Sequence, residues 1–309
     1  MSNTIENVWD LAGQFMTDPK YVFINDEMIK RTAKEVKNWS SCRVISRELP
    51  ECIEASDLHK IEKLVIYELL ANSINYCYWY GRGDIRPNGA SSTKMYELLD
   101  ASFEEILKDE KEFGACLDLQ SAKNSITQDF AKRLIIERFP MIGQRVAHLK
   151  EVEDLDLNIT FLPLIDRFKK GRGLDVDEWI ETLVQDVPGY ANDPFLKRAV
   201  LFVMQLYRGY SLFSKGIYKL PVPVDYQVPK MLRWCGCIGY DPLLNFHVKV
   251  GNPIPEGSQM ECEIRAATIV ACKMIADYAG CTCEQVDTYL WSKKDECKDP
   301  FHLTITSNY

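Results

Sequence analysis

Pro221-Val222-Pro223-Val224-Asp225-Tyr226-Gln227-Val228-Pro229-Lys230 is the stretch on which the reading of this chain turns. An apolar, proline-rich approach delivers one aspartate to the start of a helix. Aspartate is a good N-cap, because its carboxylate accepts the unpaired N–H groups of the first turn. The positive end of the helix dipole is then expected to hold it ionised. A carboxylate placed this way can face a sugar C1′ and stabilise the oxocarbenium-like cation that forms as a base leaves. The plainer alternative is an ordinary helix cap, and the neighbouring stretches decide between the two.

Outward from that segment, the chain reads as helix after helix. Residues 27–39 carry Met28, Ile29, Ala33 and Val36 at helical spacing among charges. Residues 58–71 do the same, and 95–107 show an amphipathic face of Tyr96, Leu98, Leu99, Phe103, Ile106 and Leu107. Further helices are expected over 125–139, 177–185, 194–210, 260–279 and 283–291, with Pro194 suited to a first turn. Short extended pieces are expected at 43–46 and 246–250. Breaks at 81–89, 171–173 and 253–257 are too short for flexible interdomain linkers. The expected fold class is all-α (mostly helical): one unit over residues 1–309, with two lobes around a central cleft.

Composition narrows the function. A chain of 309 residues with 46% hydrophobic and 27% charged residues can bury a sizeable core. No apolar run approaches the roughly 18 residues that span a bilayer, and the opening Met-Ser-Asn-Thr-Ile-Glu-Asn is not a secretory signal. A cytoplasmic protein with no membrane partner is expected. Its 11 cysteines then read as reduced thiols rather than a disulfide framework. Cys235-Gly-Cys237 and Cys281-Thr-Cys283 have poor spacing for zinc, so no metal and no cofactor are expected, and Cys262 and Cys272 read as small core residues. The formal charge is −8 and the pI about 5.2. A duplex-DNA binder usually shows a basic face. Here one small basic cluster, Arg167-Phe168-Lys169-Lys170-Gly171-Arg172-Gly173, reads as a solvated loop. The balance favours a small nucleotide partner and leaves room for single-stranded or locally opened DNA.

Four more constellations bear on chemistry. Asn75-Tyr76-Cys77-Tyr78-Trp79-Tyr80 packs more consecutive aromatics than one helix face can bury, so some should line a cavity, where aromatic planes sandwich bases. The loop Gly81-Arg82-Gly83-Asp84-Ile85-Arg86 follows and can close over a ligand. Phe195-Leu196-Lys197-Arg198-Ala199 places a basic pair near a helix start, a good position for a phosphate. Ser258 reads as an N-cap with Glu261 completing a capping box, and Glu261 can pair with Arg265 four residues on; Glu263 is the acid left for a ligand. Near the C-terminus, His302 is a candidate for phosphate contact or titration.

Taken in order, these pieces resemble the queuosine-salvage protein family. That family shows N-F-C-F-W, K-R-A, D-Y-R-V-P-Q, G-S-x-E-E-x-E-I-R-A, D-x-x-L-W and P-x-H-x-x-R-T-x-Y. They stand here at 75–79, 197–199, 225–230, 257–266, 287–291 and 300–309; Phe139-Pro140-Met141 with Arg145-Val146 adds to the series. The segment at Asp225 also resembles the P-V-D-T-H-V of helix-hairpin-helix DNA glycosylases. The resemblance implies a related helical fold and hydrolysis of the bond between a 7-deazaguanine-type base and ribose 5′-phosphate. It implies Asp225 as the catalytic carboxylate, Tyr78 and Trp79 in the base pocket, and Lys197 near the phosphate. Tyr226, Glu263 and His302 lie in the same motifs and complete the candidate substrate-binding set. Among the departures from the pattern, Gln227 stands for an arginine and the tail 303–306 lacks one, removing bidentate phosphate ligands. One alternative is a phage-type enzyme that modifies DNA bases, displacing pyrophosphate from 5-pyrophosphoryloxymethyl-deoxyuridine with an amino acid or polyamine in the host cytoplasm. The stretch before Asp225 lacks the L-P-G-[VI]-G hairpin of repair glycosylases. A third reading is a non-enzymatic helical scaffold, which needs no buried carboxylate beside an aromatic pocket.

Overall fold

The computed structural model describes residues 4–40, 50, 53, 59–81, 85–113, 118–210 and 212–309. The extended piece expected at 43–46 lies outside them, as do Arg82, Gly83 and Asp84. Helices dominate: α1 (Thr4–Phe15), α2 (Asp26–Ser40), α3 (Lys60–Ser73), α4 (Ser92–Phe113), α5 (Leu119–Ile136), α6 (Ile142–Asp154) and α7 (Leu162–Lys169). Then follow α8 (Val176–Asp186), α9 (Pro188–Ala191), α10 (Lys197–Tyr210), α11 (Gln227–Trp234), α12 (Pro242–Lys249), α13 (Gln259–Ala279) and α14 (Cys283–Ser292). Sheet is limited to an antiparallel pair, β1 (Val22–Ile24) with β4 (Ile238–Tyr240), and a parallel pair, β2 (Leu174–Asp175) with β3 (Phe213–Lys215).

Two helices form the axis of the core, each buried on most of its surface. In α3 every residue from Glu62 to Ser73 is buried, and the helix packs on α4, α5, α6 and α10. In α13 the small side chains Ala266, Ala267, Ala271 and Ala276 are buried, which lets α1, α2, α11 and α14 come close. Both belong to one contiguous cluster of buried apolar residues. Cys262 and Cys272 are buried free thiols on α13, as their helical positions suggested. Among the described residues, no helix is long and apolar enough to cross a membrane.

Two local expectations need correction. Residues 246–250 are not extended; most of them belong to α12, which Asp241 caps by accepting from the N–H of Leu244 at 2.8 Å, with Pro242 in the first turn. A cap plus an N1 proline outweighs the β preference of Phe246, Val248 and Val250. Pro194 precedes its helix rather than opening it. The chain first makes a left-handed turn at Leu196 (φ 52°), and α10 begins at Lys197.

Candidate active site

A cavity of ≈ 260 Å³ opens where six pieces of chain converge: the segment leaving α3, the start of α4, one face of α10, the approach to α11, α14, and the C-terminal Tyr309. Asp225, Lys197, Tyr78 and Tyr226 line it together. They lie as far as 148 positions apart in sequence, and the all-round burial of α3 and α13 is what holds their elements in place.

Asp225 ends the proline-rich approach and is 8% exposed. Its Oδ1 accepts from the N–H of Gln227 at 2.7 Å and of Val228 at 3.2 Å, so it closes the N-terminus of α11 as an aspartate cap does. Among the described residues its Oδ2 takes no hydrogen bond. The expectation that the helix end alone settles its charge needs revision. Burial raises the Asp225 carboxyl above its usual value; Lys197 and the two N–H groups oppose that shift without cancelling it.

Lys197 is held by a buried ion pair behind the wall. Asp193 receives Arg265 in a two-pronged contact, 2.7 Å on each oxygen, and also accepts from the N–H of Phe195 at 3.0 Å and of Lys197 at 2.8 Å. These donors stabilise the left-handed turn at Leu196, a conformation that costs a residue with a Cβ on the order of 1 kcal/mol. Lys197 Nζ donates to the Asn75 carbonyl at 2.8 Å. Burial pulls its pKa down to about 8, against the raising effect of Asp225. Its neighbour Arg198 faces away, donating to the carbonyls of Ser73 and Gly189, so the basic pair divides between cavity and core.

The aromatic wall is an extended segment anchored by Arg145 of α6. The guanidinium donates to the carbonyls of Ile74, Tyr76 (2.6 Å) and Cys77 (2.7 Å) and lies over the rings of Tyr76 and Tyr78. Period-two alternation then puts Tyr76 and Tyr78 on the same wall. Tyr78 donates to Asn75 Oδ1 at 2.9 Å. Trp79 does not face the cavity. It is fully buried behind it, edge-on to Tyr226 at 4.6 Å and beside Phe301 at 5.3 Å. Its contribution is to fix Tyr226, whose ring does reach the cavity.

Glu263 and His302 also stand off the wall. Both oxygens of Glu263 are engaged by the N–H groups of Lys20, Tyr21 and Val22 and by Gln259, so it fastens the entry to β1. His302 Nε2 lies 3.2 Å from the Tyr309 hydroxyl, and burial with nearby Arg265 and Arg233 pulls its pKa down to about 3. It is neutral at pH 7 and supports Tyr309, which lines the cavity.

Sequence reasoning assigned no role to the opposite wall. Asp287 and Trp291, four apart on one face of α14, line the cavity with Arg208 of α10. Arg208 donates to Glu284 at 2.6 Å and to Asp287 Oδ2 at 2.7 Å. Burial raises the Asp287 carboxyl to about 6, Arg208 opposes, and the charge of Asp225 adds to the rise. The i, i+4 spacing of Asp287 and Trp291 was the available signal; the partner, 79 positions away, was not.

The fold is helical, and its cavity has a buried carboxylate on the wall. The family model described as queuosine salvage protein matches residues 55–309, and the chain belongs to that family. A queuosine 5′-phosphate N-glycosylase/hydrolase of Dictyostelium discoideum is 28% identical over 270 residues, covering 79% of this chain and 77% of the relative. A protein of the same name from Sphaerobacter thermophilus is 26% identical over 280 residues, covering 80% of this chain and 82% of its own.

Proposed function

We propose that this chain is a nucleotide N-glycosidase that hydrolyses the bond between a 7-deazaguanine-type base and ribose 5′-phosphate, with queuosine 5′-phosphate as substrate. The observation that carries the reading is Asp225: buried, tied by two backbone N–H groups, facing Lys197, and flanked by tyrosine rings. The family membership and the names of the two relatives point the same way.

In the reaction the C1′–N bond breaks and its electron pair stays with the base. Positive charge develops on C1′ and the ring oxygen, and the Asp225 carboxylate stabilises it. Water adds to C1′, and the proton it loses ends on the departing ring nitrogen, giving free base and ribose 5-phosphate. A 7-deazapurine has carbon where a purine has N7, so protonation there cannot assist departure. Stabilising the sugar cation therefore carries more of the barrier. A preorganised charge in a dry site typically contributes on the order of 10²–10³ in rate. Tyr78 and Tyr226 offer π faces to the base. Of the described cations on the wall, Arg208 is committed to carboxylates, whereas Lys197 donates to a carbonyl and is the one for a 5′-phosphate.

The test is product analysis by mass spectrometry after incubation with queuosine 5′-phosphate. Free base and ribose 5-phosphate are expected; intact substrate throughout would contradict the proposal. Lys197→Met should erase any preference for the 5′-phosphate over the unphosphorylated nucleoside. A preference left intact would separate Lys197 from the phosphate.

A further inference from the structure

We infer that Asp287 reads the 2′-hydroxyl of the substrate, making the site selective for ribonucleotides over 2′-deoxyribonucleotides. The inference rests on the N-glycosidase reading of the cavity and extends it to a residue with no role so far. Asp287 is 1% exposed and lines the cavity. Arg208 holds its Oδ2 at 2.7 Å and is itself fixed by the Glu284 carboxylate at 2.6 Å and the Glu284 carbonyl at 3.2 Å. The carboxylate is therefore locked in orientation. Its other oxygen, Oδ1, is buried and has no hydrogen-bond partner among the described residues.

A buried carboxylate oxygen without a donor is costly and rare in native proteins. It is tolerated where a ligand brings the missing donor. Arg208 does not supply it: its bonds run to Oδ2 of Asp287 and to Glu284. A ligand O–H or N–H on the Asp287 side of the cavity supplies the missing donor. Asp225 is close enough for its charge to act on Asp287. With Asp225 beneath C1′, the substrate donor one bond farther along the ring is the 2′-OH. The base is assigned to the tyrosine faces. A 2-hydroxyl bonded to a carboxylate sends electron density toward the adjacent cationic centre, and such bonds strengthen in oxocarbenium-like transition states. Asp287 then contributes both selectivity and rate, and it does so while ionised and Arg208-bound.

The experiment is a four-way comparison of kcat/KM: wild type and Asp287→Asn, each on queuosine 5′-phosphate and its 2′-deoxy analogue. Asparagine keeps the shape and can still accept from Arg208, but it carries no charge to the hydroxyl. On the ribonucleotide, Asp287→Asn is expected to lose roughly 10- to 100-fold, the range for a hydrogen bond to a charged group. On the 2′-deoxy analogue it should lose less than about threefold, because the interaction is already absent. Equal losses on both substrates would overturn the inference, since a base for the attacking water or a mere anchor for Arg208 affects both alike. A binding arm separates this from failure of the glycosidase reading. In an Asp225→Asn background, affinity for the two nucleotides is measured with and without Asp287→Asn. If wild type releases no base, the glycosidase reading falls. A ribonucleotide preference that Asp287→Asn removes then still sustains the Asp287 assignment. Equal affinities for the two nucleotides, with full turnover by wild type, would sink the assignment alone.

Discussion

Two buried aspartates in this protein each face an arginine, and they are not alike. Asp193 gives both oxygens to Arg265 and also accepts from two backbone N–H groups, so each oxygen has two donors. Burial pushes its carboxyl up, yet Arg265 and those N–H groups overrule it and hold it below the usual carboxylate value. Asp287 is as deeply buried and gives one oxygen to Arg208; the other has no partner, and its carboxyl is raised to about 6. The first pair is complete without a ligand and serves the fold. The second is incomplete and sits on the cavity wall. Full satisfaction marks a structural ion pair, and a deficit at a cavity marks where a ligand belongs.

Asp193→Asn should break the structural pair most severely. It leaves the Arg265 charge buried beside Glu261 at 3.6 Å as its remaining acid, and a broken buried pair costs about 3–5 kcal/mol. Chemical denaturation should show that loss. A drop below about 1 kcal/mol would mean the pair is dispensable. Acid titration sharpens the contrast, because the two groups have opposite signs. Asp193, with a lowered folded-state value, contributes stability that is present above the ordinary carboxylate pKa and lost as pH falls through its folded-state pKa. Asp287, with a raised one, contributes stability present below the ordinary value and lost as pH rises through about 6. Asp287→Asn should therefore flatten stability between about pH 4 and 6 and be no less stable than wild type at pH 7. A large loss at pH 7 would place Asp287 with Asp193 as a structural anchor.

Activity should follow pH in a bell. The acid limb belongs to the two buried carboxylates that must be ionised, Asp225 and Asp287; burial raises both, Asp287 to about 6. The alkaline limb belongs to Lys197, which must be charged and titrates near 8 because burial lowers it. Lys197→Met should remove the alkaline limb. Its persistence would assign that limb elsewhere.

Much of the fold was legible because the signal is local. Apolar residues at helical spacing located α2, α3, α8, α10, α13 and α14 to within a few positions. Where it failed, short-range punctuation outweighed composition: Asp241-Pro242 started a helix in a stretch rich in Phe and Val, and Asp193 delayed α10 to Lys197. Asp225 was legible because its cap partners lie two and three residues away. Glu263 and Asp287 were not separable by sequence, since both are acids on helices. One is occupied by backbone more than 240 positions distant, and the other by an arginine from α10. Trp79 and His302 fell one layer behind the cavity for the same reason: the motif shows proximity to the site, and tertiary packing decides which ring faces it.

The most direct test of the central claim is the single-turnover rate of Asp225→Asn on queuosine 5′-phosphate, measured with its binding affinity and thermal midpoint. Asparagine can keep the bonds to Gln227 and Val228, so fold and binding should stay close to wild type. Without the negative charge, the cation at C1′ loses its counter-charge, and the rate should fall by at least about 10²–10³. A rate near wild type, with fold and binding intact, would contradict the account and move the reacting centre away from Asp225.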